Sequence, residues 1–113
     1  MRGLGVVGVL ANYSVARVMP DGSVRRLVAA MSSLDEDTSM AAHMALVKLG
    51  PSNAHRVVQE MRMGRQTADL IQLLGDLGDP SVIPYLEEFT NSDDPDLASA
   101  AQESLDALRP DEA

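Results

Sequence analysis

The sequence predicts an all-α chain, a short stack of about three helix pairs in which each unit is a helix, a turn and a second helix. Three observations carry this expectation. Apolar residues recur at helical period in six segments, the segments repeat in register, and capping residues fall at matching places between them. A period of roughly 30 residues is the mark of a repeat array, in which no unit buries its apolar face alone.

The second helices of the pairs share one pattern, Ala42-Leu46-Leu49, Leu70-Leu74-Leu77 and Ala101-Leu105-Leu108, and it returns at nearly equal steps along the chain. Within each, intervals of four and then three positions fall on one helical face. Each is preceded by another stripe of the same period. These are Val24-Leu27-Val28-Met31, Ala54-Val57-Val58-Met61 and Val82-Tyr85-Leu86-Phe89. Gly50 and Gly78 each follow a terminal leucine, where glycine closes a helix in the left-handed conformation. Asp79-Pro80 and Asp94-Pro95 read as an N-cap followed by proline at the first helical position. Ser52 or Asn53 caps after Pro51, and Gly64 separates Met61-Arg62-Met63 from a helix beginning near Arg65. Pro84 falls inside the helix that starts at Pro80 and predicts a kink in its first turn.

The pairs therefore span about residues 22–49, 52–77 and 80–108 of a domain over 22–109, with an apolar segment at 1–21 and an acidic tail at 110–113. The first segment reads in two ways. Carried back by one further step, the register puts Ala11, Val15 and Val18 in the places of Ala42, Leu46 and Leu49, a lone second helix over 5–19. Three glycines and several valines make a poor helix, so an irregular arm is the other reading. The run from Leu4 to Leu10 has only Arg2 before it and is broken by glycines, then by Asn12 and Arg17. It predicts neither a signal peptide nor a membrane span.

At 113 residues the chain fits one domain. Only Tyr13, Tyr85 and Phe89 are aromatic, and a core of Leu, Val, Ala and Met suits helices packed at close range. Cysteine is absent, which removes disulfides, thiolate metal sites and thiol nucleophiles and points to a reducing cytosol. The net charge of −8 argues against nucleic acid, whose phosphates need a basic face. Residues 1–66 carry eight basic and five acidic side chains, whereas residues 67–113 carry one basic and twelve acidic. The acidic half thus reads first as a solvated cap and second as a docking surface.

A family resemblance rests on Leu77-Gly-Asp-Pro-Ser-Val-Ile-Pro-Tyr-Leu86, on Asp93-Asp-Pro-Asp96 and on Ala100-Ala-Gln-Glu-Ser-Leu105. Together they resemble HEAT-like repeats of the phycobilisome-lyase type. The match covers residues 65–108 well, 22–63 less well, and weakens before residue 20. In that family a proline inside the first helix is common, which accounts for Pro84. The resemblance implies a short right-handed α-solenoid whose second helices line the concave side. It also implies an adaptor or docking role, with two alternatives: a bilin-lyase-like subunit that attaches chromophores, or a fragment of a longer solenoid.

The sequence gathers no catalytic constellation. His43 and His55 lie on different helices of one pair without metal-ligand spacing, and both read as edge or solvated histidines. Asp35-Glu-Asp37 and Asp93-Asp94-Pro-Asp96 lack the glycine of a calcium loop and read as helix caps. Glu87 and Glu88 point about 100° apart on a helix and make no facing carboxylate pair. Gly3-x-Gly5-x-x-Gly8 has no strand before it, which a dinucleotide fingerprint requires. The expectation is a non-catalytic scaffold with no cofactor and no metal.

The expected contact ridge follows from the repeat register. On the middle second helix Arg65, Asp69, Gln72 and Asp76 form a polar stripe. Equivalent positions are Asp37, Ala41, Met44 and Lys48 before it, and Asp96, Ala100, Glu103 and Ala107 after it. The partner-binding candidates are Met44, Lys48, Arg65, Asp69, Gln72, Asp76 and Glu103, and the complementary guest is a protein with a basic segment. All seven methionines fall within residues 1–63, and Met19, Met31, Met40, Met44, Met61 and Met63 are expected to cluster. Met40, Met44 and Val47 make the 38–49 helix apolar nearly all round. Such a helix is buried on several sides, here by the N-terminal segment or by a second chain in a homodimer through the N-terminal half.

Overall fold

Apolar residues recurring at about 3.6 positions per turn become helix wherever the sequence carries them. The computed structural model describes residues 5–16, 20–64 and 66–109. These form seven helices: α1 (Val6–Ala16), α2 (Pro20–Ala30), α3 (Glu36–Leu49), α4 (Ala54–Met63), α5 (Ala68–Leu77), α6 (Ile83–Glu87) and α7 (Pro95–Leu108). Two 3-10 turns, Pro51–Asn53 and Pro80–Val82, lead into α4 and α6, and the described residues include no strand.

The repeat register is the core register. Val24, Leu27, Val28 and Met31 are buried along α2, and Ala54, Val57 and Met61 along α4. Val82, Tyr85, Leu86 and Phe89 are buried on and around α6. From the other helices come Ala42 and Leu46, then Leu70, Leu74 and Leu77, then Ala101 and Leu105. Within the pairs α2 packs on α3, α4 on α5, and α6 on α7. Between pairs α3 packs on α5 and α5 on α7, while α2 packs on α4 and α4 on the turn before α6. The molecule measures 40 × 27 × 23 Å, and its radius of gyration, 13.7 Å, is near the ~13 Å of a compact chain this long.

Capping follows the sequence at most ends. Asp35 and Asp94 accept the backbone N–H of Asp37 and Asp96 at the starts of α3 and α7. Asp79 accepts that of Ser81, and Gly78 closes α5 in the left-handed conformation at φ 78°, whereas Gly50 closes α3 at φ 92° and ψ 174°, outside it. A further parallel lies just upstream. Ser33 Oγ accepts the N–H of Asp35 and Ser92 Oγ that of Asp94, so two pre-helix loops are built alike.

Four local expectations are corrected. Asn53 does not cap α4 with its side chain. It donates to the Leu49 carbonyl and accepts from Arg56, tying the incoming 3-10 turn to α3. Helix α5 begins at Ala68 behind a Thr67 cap and not near Arg65, because the Thr67 hydroxyl is placed to accept the Leu70 N–H. Pro84 kinks no continuous helix, since the chain from Pro80 makes a 3-10 turn and Pro84 stands in the first turn of α6, where a missing N–H costs little.

The fourth correction concerns α1. The N-terminal segment is helical over Val6–Ala16, as one reading expected, but its rotation is not the one expected. Val9 is fully buried and Tyr13 packs against the core, whereas Ala11 and Val15 face outward. A helix that is apolar nearly all round has no strong face to orient it, so its neighbours α2 and α3 decide which side is covered. Val18, Met19 and the 110–113 tail lie outside the described residues.

Candidate binding surface

The helices divide the charged residues unequally. α3, α5 and α7 carry seven carboxylates and one lysine, whereas α2, α4, α6 and their 3-10 turns carry three carboxylates and four arginines. Burial of the register leucines fixes which way the remainder points. Asp37, Met44, Lys48, Asp69, Gln72, Asp76, Asp96 and Glu103 are all exposed, and Ala41 and Ala100 are half-buried among them. Arg65 lies outside the described residues.

Two grooves run between successive helices on this side. One, of about 260 Å³ between α5 and α7, is lined by Ala68, Gln72, Asp96, Ser99, Ala100 and Glu103. The other, of about 640 Å³ beside α3 and α5, includes Met31, Glu36, Ser39, Met40, His43 and Asp69. Gln72, Asp69 and Glu103, expected on a ridge, thus line clefts, the first and last of them beside the small side chains Ala68 and Ala100. Glu36, Asp37, Asp69, Asp96 and Glu103 make no ion pair among the described residues. Asp76 does find a partner: its Oδ2 lies 2.8 Å from His43 Nε2, a hydrogen bond across α3 and α5 that becomes an ion pair when the imidazole is protonated. His43 is therefore an edge histidine with an interhelical role. His55 is exposed, and no group of three or more metal-ligating side chains gathers among the described residues.

The opposite side is arranged differently. Arg25 on α2 meets Glu60 on α4 at 3.3 Å, Arg62 on α4 meets Glu88 at 3.6 Å, and Arg109 meets Glu87 at 2.6 Å. Arg62 also stacks over the Tyr85 ring, 4.5 Å from its centroid, and Tyr85 meets Phe89 edge to face. Burial raises the Tyr85 phenol above its ordinary pKa, partly opposed by Arg62, and its hydroxyl has no hydrogen-bond partner among the described residues. The Asp79 carboxyl is held below its ordinary value, first by the Ser81 backbone N–H and then by the Ser81 hydroxyl.

The methionines differ in burial, although Met31 and Met40 line the same groove. Met31 and Met61 are buried, whereas Met40, Met44 and Met63 are 65%, 55% and 74% exposed. Helix α3 touches α1, α2 and α5, yet none of them covers Met40 or Met44, since α1 lies along another side. Sequence reasoning missed the packing behind the grooves. Gly75 on α5 faces Ser104 on α7 so closely that an added Cβ would lie 2.7 Å from Ser104 Oγ and 2.9 Å from its Cα. Ser104 Oγ donates to the Ile71 carbonyl at 2.9 Å. A glycine inside a helical stripe costs about 1 kcal/mol relative to alanine, and that was the available signal of close approach.

No helix among the described residues is long and apolar enough to cross a membrane. Comparison with known proteins gives no match to a family model, to a curated protein or to a solved structure.

Proposed function

We propose that this chain is a non-catalytic protein-interaction scaffold of HEAT-like helix pairs, a short right-handed α-solenoid that holds a basic segment of another protein along α3, α5 and α7. The single observation that carries the reading is the row of exposed carboxylates lining two successive grooves, Glu36, Asp69, Asp96 and Glu103, which have no cationic partner among the described residues. Unpaired carboxylates raise the negative potential of a cleft, which steers and orients a cationic guest. Met40 borders the larger groove and Met44 stands one turn further along α3, where a flexible thioether adapts to apolar side chains of the same guest. Order along the chain supports the repeat assignment, because the buried stripes, the Ser-x-Asp caps and the side-by-side packing recur together.

The test is fluorescence anisotropy with labelled arginine- and lysine-rich peptides, set against acidic peptides of equal length. Wild type should bind the basic set preferentially, and the triple variant Asp69→Lys/Asp76→Lys/Glu103→Lys should bind it at least tenfold more weakly. Affinity should also fall as salt rises from about 50 to 300 mM, since exposed charges are screened over about a Debye length. Equal binding by the reversed variant, or no preference for basic peptides, would overturn the reading.

A further inference from the structure

We propose that the guest of the larger groove docks as an amphipathic α-helix, with its apolar stripe on Met40 and Met44 and its cations gathered at one end. The inference rests on the reading that a basic segment binds along α3, α5 and α7, and adds that segment's conformation and residue pattern.

Backbone chemistry selects the helix. An extended peptide turns N–H and C=O groups towards its receptor, and each one withdrawn from water needs a partner. A sheet edge could supply them, but the described residues include no strand. A ladder of amide side chains could also do so, since each amide both donates and accepts. Helices α3, α5 and α7 together carry only two, Gln72 and Gln102. Gln72 lines the smaller groove, and Gln102 donates to Asp106 on its own helix. In the larger groove Ser33 Oγ accepts from the Asp35 N–H, Ser39 Oγ donates to the Met31 carbonyl, and His43 holds Asp76. What it offers beyond these is the carboxylates of Glu36 and Asp69 and the thioethers, with no repeating donor–acceptor pair. A helix satisfies its own backbone and asks the groove only for side-chain contacts.

Placement along α3 sets the pattern. Glu36, Met40 and His43 line the groove at i, i+4 and i+7, one face of α3, and exposed Met44 continues it. Met40 and Met44 stand about 6 Å apart along the axis, the spacing of i and i+4 side chains on a guest helix. The unpaired carboxylates lie at one end, because Glu36 and Asp69 belong to the first turns of α3 and α5. Towards the other end Asp76 is held by His43, and Lys48 is exposed. The guest therefore carries Arg or Lys in one turn and two large apolar residues four positions apart in the next two.

Two labelled peptides of about 14 residues and identical composition provide the test, short enough to be mostly unfolded when free. One spaces its leucines at helical period with the cations at one end, and the other alternates the same residues at period two. A third is the first with a central residue changed to proline. Fluorescence anisotropy against the full chain should show the first binding at least tenfold more tightly than the other two. Circular dichroism of the mixture should show helix gained beyond the sum of the parts. The double variant Met40→Ser/Met44→Ser changes two exposed side chains without changing charge, and should abolish the preference while keeping the wild-type spectrum. Equal binding of all three peptides, or tight binding of the first without gain of helix, would overturn the helical guest and leave the basic-segment reading standing. A full tenfold preference retained by the methionine variant would overturn the docking site. Binding of none of the three would overturn the basic-segment reading itself, and the helix with it.

Discussion

The side formed by α2, α4 and α6 and the side formed by α3, α5 and α7 share one apolar core but treat their charges in opposite ways. On the first, arginines pair with glutamates across each step: Arg25 with Glu60, then Arg62 with Glu88. On the second, carboxylates face solvent with a single histidine contact among the described residues, His43 to Asp76, and the helices approach through small residues such as Gly75 and Ser104. Exposed ion pairs are worth about 0–1 kcal/mol, so the pairing does little to hold the layers together. Stability therefore comes from the shared register of leucines and valines, which leaves the charges of one surface paired within the chain and most carboxylates of the other exposed to solvent.

Ways to break this contrast rank by expected effect. Gly75→Ala should be the most damaging. The new methyl meets Ser104 side-chain and backbone atoms at 2.7–2.9 Å. Overpacking of this kind costs about 1–3 kcal/mol, more than alanine's better helix propensity returns. Thermal unfolding should fall by roughly 10 °C, and a melt within about 2 °C of wild type would show that α7 can move aside without loss. Next come the caps that start α3 and α7. Asp35→Ala or Asp94→Ala should each cost about 1 kcal/mol in urea unfolding, because each leaves a helix-start N–H without its acceptor. The mildest change is Arg25→Ala. It leaves Glu60 unpaired, as Glu36, Asp69, Asp96 and Glu103 of the other side already are, and should shift stability by no more than about 0.5 kcal/mol, since Arg25 is 65% exposed. A loss well above the range of an exposed ion pair would assign these pairs a larger part than the contrast gives them.

Much of the fold was legible in the residues. The stripe from Val24 to Met31 and those through Ala54-Val57-Met61 and Leu70-Leu74-Leu77 are the core in fact, because periodic burial is written locally and needs only a neighbour to cover it. The caps at Asp35, Asp79 and Asp94 were legible for the same reason, each acting on N–H groups two positions away. Of the candidate surface, the exposure of Lys48, Asp69, Gln72, Asp76 and Glu103 also followed from the register, as the remainder of each helix once its buried face is fixed.

What the sequence determined by itself, then, was the helices, their buried faces and the acidic character of one side, all of which depend on near neighbours along the chain. Tertiary structure alone decided the rotation of α1, the separation of buried Met31 and Met61 from exposed Met40, Met44 and Met63, the His43–Asp76 bridge and the Gly75–Ser104 seam. Each of these joins residues from different helices or asks which helix lies beside which. An apolar side chain carries no mark that tells a core position from an uncovered one; only the arrival or absence of a neighbouring helix settles it.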